Sequence, residues 1–255
     1  MKKQYEKYYF NNPELWDSIR KKSFTQEVRF LDRLFKQEGS VRKVLDVGCG
    51  TGLHAAALSK LGYEVVGVDA NRRMVEFAAA KYPGLDFICG EMKDFLIEGK
   101  TFDAIFCLCT VFSYNTTNSD VITTLHNFYN HLRPGGLLII DNINPISLIG
   151  SRAFKDEIIE FEPYSEYGLF SQASHLIKNR EQVLEEVRTI KEVSSETAIH
   201  SDVTNFRLFF PKEFEFYLEY SGFQNMFIRS DFKATEDDDS LSGYRMISLA
   251  KKYVR

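Results

Sequence analysis

Residues 44–52, Val44-Leu45-Asp46-Val47-Gly48-Cys49-Gly50-Thr51-Gly52, run from an apolar stretch past one carboxylate into three glycines at alternate positions. Side chains there would forbid the dihedrals of a tight turn and would hold a ligand away from the backbone. A helix that starts directly after such a turn offers its free N–H groups to that ligand. A second apolar run, Glu64-Val65-Val66-Gly67-Val68, ends on Asp69. A carboxylate at that place accepts hydrogen bonds from both hydroxyls of a ribose. Together the two runs specify a strand, a nucleoside-binding turn, a helix and a second parallel strand.

From Val41 onward apolar runs alternate with helical patterns, the order expected of crossover units around a parallel sheet. The spacing predicts strands at Lys43 to Val47, Glu64 to Val68, Leu85 to Cys89, Ala104 to Leu108 and Leu137 to Asp141. Helices are predicted from Leu53 to Leu61, from Arg72 to Tyr82 behind an Asn71 cap, and from about Asp120 to His131. Pro134-Gly135-Gly136 reads as the turn into the fifth strand. Ahead of this core, Asn12-Pro13 starts a helix with Leu15, Trp16, Ile19, Phe24, Val28, Leu31, Leu34 and Phe35 on its apolar side. Behind it the period changes, and Phe170 to Ile177, Val183 to Val193 and Ala198 to Phe210 read as three extended segments. A helix from Pro211, the turn Ser221-Gly222-Phe223 and strands at Asn225 to Ser230 and Tyr244 to Ala250 finish the chain. The expected organisation is a helical lid over residues 1–40, a cofactor-binding core over 41–150, an antiparallel β insertion over 151–210, and a completion of the core sheet over 211–255. The insertion is either a substrate lid or a surface for a homodimer.

Composition sets limits on partners. A net charge of −4 and a pI near 5.8 argue against a nucleic-acid partner, which needs a basic face. No apolar run reaches the length of a membrane span, and the N-terminus shows no signal-peptide core, so a cytoplasmic protein without a membrane partner is expected. Cys49, Cys89, Cys107 and Cys109 show neither a disulfide pattern nor metal spacing. His54, His126, His131, His175 and His200 form no pair at metal-ligand spacing and read as surface or capping residues. His175 and His200 are set apart because the insertion that carries them is a candidate substrate lid.

Asp46 to Gly52, Asp69, Gly90-Glu91-Met92, Phe102-Asp103-Ala104-Ile105 and Leu132-Arg133-Pro134-Gly135-Gly136 together resemble the class I S-adenosylmethionine-dependent methyltransferases. The resemblance spans residues 43–141, and Ser221-Gly222-Phe223 with two following strands extends it. It implies an α/β fold: a Rossmann-like seven-stranded, mostly parallel sheet with helices on both faces and an antiparallel last strand. It also implies S-adenosylmethionine as cofactor, with Asp46, Gly48, Gly50 and Gly52 at its methionine end. Asp69 would take the ribose hydroxyls, Ala70 the adenine, Glu91 and Met92 would flank the base, and the Leu108 carbonyl would receive the methionine ammonium. Relatives more often place Asp where Glu91 stands. A glycine turn with a ribose carboxylate also serves nicotinamide and flavin dinucleotides; the carboxylate two positions before the first glycine and the later motifs favour S-adenosylmethionine.

A narrower resemblance is to small-molecule N-methyltransferases, including those acting on nucleotide-linked amino sugars. It rests on Cys49-Gly50-Thr51-Gly52 with His54, the N-terminal tyrosines, Phe112-Ser113-Tyr114, the β insertion, and Ser242-Gly243-Tyr244-Arg245. Such relatives often carry His where Tyr114 stands. Among Tyr5, Tyr8 and Tyr9, Tyr9 is the candidate for reaching the cofactor carboxylate. Tyr114 is the candidate for orienting an amine or accepting its proton through water, with His200 as a second catalytic candidate and His175, Tyr114 and Arg245 as substrate-binding ones. Arg152, Arg180 and Arg207 are further arginines for an anionic substrate, and Glu236-Asp237-Asp238-Asp239 reads as a solvated loop. The expected activity is methyl transfer to a small-molecule amine. The alternatives are oxygen methylation and a cofactor-binding partner subunit without chemistry of its own.

Overall fold

The computed structural model describes residues 7–20, 24–150, 160–164, 167–232 and 241–253. Its elements, in chain order, begin with α1 (Pro13–Arg20), α2 (Phe24–Glu38), β1 (Lys43–Val47), α3 (Leu53–Lys60), β2 (Glu64–Asp69) and α4 (Arg72–Lys81). There follow β3 (Asp86–Cys89), β4 (Phe102–Cys107), α5 (Asn118–His131), β5 (Leu132–Ile143) and α6 (Pro145–Gly150). An antiparallel group, β6 (Glu160–Tyr164), β7 (Leu169–Lys178), β8 (Val183–Glu192) and β9 (Ala198–Arg207), precedes α7 (Pro211–Tyr220), β10 (Phe223–Ser230) and β11 (Arg245–Lys252).

Among the described residues the strands form two sheets. The larger is seven-stranded, in the order β10-β11-β5-β4-β1-β2-β3. Strands β1 to β5 pair in parallel, and β11 runs antiparallel to both β5 and β10. Alternation along its strands loads both faces. Leu45, Ile105 and Leu138 turn to one side, against Val121, Leu125 and Phe128 of α5 and Phe214 and Leu218 of α7. Val44, Phe106 and Ile139 turn to the other, against Val28, Leu31 and Phe35 of α2 and Ala55 and Leu58 of α3. Each such Val, Leu, Ile or Phe side chain contributes about 1.5–3 kcal/mol by leaving water. That double layer fixes the carboxyl ends of β1, β2 and β4 side by side, where the strand order departs in opposite directions from β1.

The sequence-based elements fall close to these bounds, with three differences. The single N-terminal helix is two: α2 buries Val28, Leu31 and Phe35 on the core, whereas Leu15 and Trp16 of α1 join a separate cluster with Tyr9, Phe10 and Ile190. One straight helix cannot serve both. The fifth strand begins at Leu132 rather than after Pro134-Gly135-Gly136; the glycines are absorbed as an irregularity, since Phe102 pairs Leu132 while Ala104 pairs Leu137. The antiparallel group has four strands, in the order β6-β7-β8-β9. Its first strand escapes the pattern because Pro163 and two glutamates occupy an edge position, where a missing N–H is tolerated. Tyr5, Arg152 and Glu236 to Asp239 lie outside the described residues.

Candidate cofactor and acceptor site

A cavity of about 550 Å³ opens at the carboxyl ends of β1, β2 and β4, the place where open α/β sheets bind ligands. Its size is that of a small-molecule site. The glycine turn forms the floor. The N–H groups of Gly48 and Cys49 both donate to the Val68 carbonyl (2.7 and 3.0 Å), which ties the turn to β2. Gly48, Gly50 and Gly52 all have positive φ, but they do different work. A Cβ on Gly48 would stand 2.6 Å from a Val111 methyl and one on Gly52 2.7 Å from the Phe87 ring. On Gly50 it would meet only the Trp16 indole, at an ordinary 3.5 Å. The outer glycines allow close packing, and the middle one leaves the backbone bare toward the cavity.

Asp69 holds the turn from the side. Its two carboxylate oxygens accept the N–H groups of Gly50 and Asn71, each at 2.8 Å, and each oxygen keeps a second lone pair for a ligand hydroxyl. Burial pushes its pKa up, and the two N–H groups oppose the rise. Asp46 lies under the turn, 3% exposed, with one carboxylate oxygen lacking a hydrogen-bond partner. Burial pushes its pKa up to about 7. The bare Gly50 backbone, the Asp69 carboxylate and this orphaned oxygen fit a cofactor that carries a ribose and a cationic end.

The loop after β4 forms the middle of the site. Cys109 and Thr110 both have φ near 59°, a conformation that costs a non-glycine residue about 1–3 kcal/mol. Asp141 at the end of β5 holds it there, accepting the Thr110 N–H (2.7 Å) and pairing with the Arg245 guanidinium (2.8 Å). Beside it, Glu27 accepts from Arg20 (2.8 Å) and sits 2.5 Å from His54 Nε2. Although burial would raise its pKa, the His54 hydrogen bond and the Arg20 charge hold the Glu27 carboxyl down at about 2. Among the described residues Glu27, His54 and Cys109 bring potential ligand atoms within 4.8 Å of one another. Arg20 already bonds both Glu27 and the Cys109 sulfur. His54 is therefore a buried, paired group and not the surface or capping residue expected.

The second sheet forms the roof. Its pairing register sets His175, Glu186 and Thr204 in one row across β7, β8 and β9, Arg188 and Asp202 in the next, and Leu184 and Phe206 in a third. All seven face the cavity. Glu186 accepts from His175 (2.9 Å) and Arg188 (3.1 Å); despite burial, these partners hold its pKa down at about 2. An apolar seam of Ile143, Leu148, Leu184, Phe206 and Leu208, with Tyr114 against it, joins roof to core. Arg207 closes that seam with bonds to Glu213 of α7 (2.6 Å) and to the Thr116 carbonyl (3.2 Å). Tyr114 stacks on Phe206 with ring centroids 5.4 Å apart, and burial pushes its phenol pKa well up.

Tyr9, Gly48, Gly50, Asp69, Ala70, Met92, Tyr114, His175 and Arg245 thus line one cavity. Gly52 packs behind the turn. Leu108, also outside the wall, turns its carbonyl to the Val111 N–H (3.4 Å). Glu91 stands 3.8 Å from Lys93 at the rim, outside the wall. His200 also stands outside; its ring bonds Asp202 (2.9 Å) and lies 5.4 Å from the Tyr8 ring, so it reaches the cavity only through Asp202. Lys7, Trp16, Arg20, Glu186, Arg188 and Asp202 line the cavity and were not singled out in the sequence. The alternate spacing of 184, 186 and 188, and of 202, 204 and 206, was the available signal for a shared face.

Comparison with known proteins fits this geometry. Residues 44–136 match the family model described as a methyltransferase domain. A dTDP-4-amino-2,3,4,6-tetradeoxy-D-glucose N,N-dimethyltransferase of Saccharopolyspora spinosa is 34% identical over 100 residues, 39% of this chain and 40% of that one. An S-adenosylmethionine-dependent methyltransferase of Clostridium acetobutylicum shares the fold with a TM-score of 0.79 at 17% identity, over 96% of this chain and 99% of that one. CalS10 of Micromonospora echinaspora, an amino pentose methyltransferase solved with S-adenosylmethionine bound, superposes with a TM-score of 0.73 at 22% identity over 99% of each chain. Residues 44–136 thus carry a methyltransferase domain, and the whole chain shares the fold of S-adenosylmethionine-dependent methyltransferases.

Proposed function

We propose that the protein transfers a methyl group to the amino group of a small molecule, with nucleotide-linked amino sugars as the leading acceptor class. The observation that carries this reading is the roof. Glu186 and Asp202 set two carboxylates beside the rings of Tyr114 and Phe206 over the acceptor half of the cavity, a combination that favours a cation. The names of the Saccharopolyspora spinosa and Micromonospora echinaspora proteins support the amino-sugar class. The four cysteines are free, and among the described residues no helix is long and apolar enough to cross a membrane. The free thiols support a reducing, cytoplasmic setting.

Bound S-adenosylmethionine supplies an activated methyl group on a sulfonium. The floor residues hold it through the bare Gly50 backbone and Asp69. The roof excludes water and aligns the acceptor lone pair, and such positioning contributes about 7–11 kcal/mol. An amine with a lysine-like pKa near 10.4 must lose a proton first, at a cost of about 4–5 kcal/mol at pH 7. Tyr114 stays protonated, so its hydroxyl orients the amine; the proton leaves to water at the cost just given, and the Glu186 and Asp202 carboxylates orient the group that loses it. Arg245 shapes the site while pinning Asp141. His175 orients Glu186 and His200 orients Asp202.

The test is incubation with methyl-labelled S-adenosylmethionine and matched acceptor pools, in which each amino sugar nucleotide is paired with its hydroxyl counterpart. Label on nitrogen, read by mass spectrometry, is the expected outcome. Label confined to oxygen, or none in any pool despite bound cofactor, would overturn it.

A further inference from the structure

The N-terminal segment lies across the cavity from floor to roof. At the floor end Trp16 stands over Gly50, and Asn11 meets the Asn71 side chain at 3.4 Å. At the roof end the Tyr8 N–H donates to Asp202 (2.9 Å). One residue further, Lys7 turns inward. Its ammonium donates to the Tyr114 hydroxyl at 3.0 Å and lies 4.8 Å from the Tyr114 ring centre and 5.3 Å from those of Phe206 and Phe10.

A lysine is rarely buried, because its ammonium loses hydration that aromatic rings and carboxylates must replace. Lys7 is 8% exposed. Burial lowers its pKa to about 8, with a smaller push from the Arg188 charge, while Glu186 and Asp202 draw it back up. Apart from Phe10 of its own segment, the groups around it belong to three distant parts of the chain: the loop after β4, strand β8 and strand β9. A site assembled from such parts for an alkylammonium does not depend on which ammonium fills it.

We propose that the Lys7 amino group occupies the subsite that receives the acceptor's amino group, so that the N-terminal segment is an intramolecular competitor of the acceptor. The ligand class is a primary or secondary alkylammonium, held by the Tyr114 hydroxyl and ring, the Phe206 ring, and the charges of Glu186 and Asp202. The inference rests on the amine reading given above. The acceptor enters only when Lys7 withdraws, and apparent acceptor affinity is reduced by the fraction of time the subsite is free.

The full-length protein with Lys7→Ala tests this with a probe that needs no methyl transfer. n-Butylammonium chloride, which matches the lysine side chain in length, is titrated calorimetrically into cofactor-loaded protein, with n-butanol as the uncharged control. The variant is expected to bind butylammonium about tenfold more tightly than the parent, the factor for a competitor present nine-tenths of the time. Adding Glu186→Gln should abolish that gain, and n-butanol should bind neither protein. Lys7→Met, which keeps most of the bulk without the charge, should also gain, by a smaller factor, because the contacts that hold an ammonium in the subsite no longer act on it.

Equal butylammonium binding by parent and Lys7→Ala would overturn the proposal. So would loss of S-adenosylmethionine affinity in both Lys7 variants, which would make the segment part of the cofactor site. An acceptor methylated on oxygen would refute the amine reading through the labelled products, whereas the titration fails if the subsite is absent or Lys7 does not fill it.

Discussion

Floor and roof of the same cavity are built in different ways. The floor is mostly backbone: Gly48, Gly50 and Gly52, two N–H groups on the Val68 carbonyl, and one carboxylate clamping the turn. The roof is side chains on alternate positions of three strands, joined to the core through an apolar seam and Arg207. A backbone site accepts little change, because dihedrals and close contacts define it. A side-chain roof can change its ligand by changing residues that leave the strand pairing intact. One fold can thus keep its cofactor and exchange its acceptor.

The largest expected effect falls on the floor. Asp69→Ala removes the proposed ribose partner and strands the N–H groups of Gly50 and Asn71, so cofactor affinity should fall at least about 100-fold, or about 3 kcal/mol, by calorimetry. An unchanged affinity would remove Asp69 from the site and end the distinction between the two halves.

Glu27→Gln tests the buried group under the middle loop. The native carboxyl titrates near 2 against an ordinary 4.5. Its contribution, about 3 kcal/mol at neutral pH, is complete above pH 4.5 and is lost as pH falls toward 2. Thermal melts should show the parent ahead of the variant at pH 7 and the gap shrinking below pH 4.5. A gap independent of pH would mean that the charge is not what stabilises.

Gly48→Ala places a Cβ 2.6 Å from Val111 at a φ of +79°. A loss of about 2 kcal/mol in denaturant unfolding is expected; an unperturbed transition would show that the turn has room to relax. On the roof, Glu186→Gln should raise the KM for an amine about tenfold, close to 1.4 kcal/mol. Tyr114→Phe should cost least, a few-fold in kcat/KM, because its ring keeps the stack on Phe206 while only the hydroxyl is lost. Full turnover in that variant would leave Tyr114 with a packing role alone.

The same contrast decides what could be read from the chain. The turn was legible because glycine spacing is local and each of the three glycines has a positive φ of its own. Asn71 was recognisable as a cap, and it does accept the Met74 N–H (3.1 Å). The partnership of Glu186 with His175 and Arg188 was not legible, because it depends on which strand lies opposite in which register. His54 was misjudged for a related reason: its partner Glu27 lies 27 residues earlier, on a helix whose docking the sequence does not specify. His200 looked like a base when only its strand was known; it shares the face of Asp202 but lies one row further along β9, beyond the cavity wall. Lys7 carried no local signal, since one lysine in a polar N-terminus resembles any other.

The separation of the two halves is tested most directly by steady-state kinetics of Glu186→Gln with S-adenosylmethionine and an amine acceptor varied independently. The expected result is a KM for the amine raised about tenfold with the KM for S-adenosylmethionine unchanged. Equal rises in both constants, or a rise confined to S-adenosylmethionine, would contradict it.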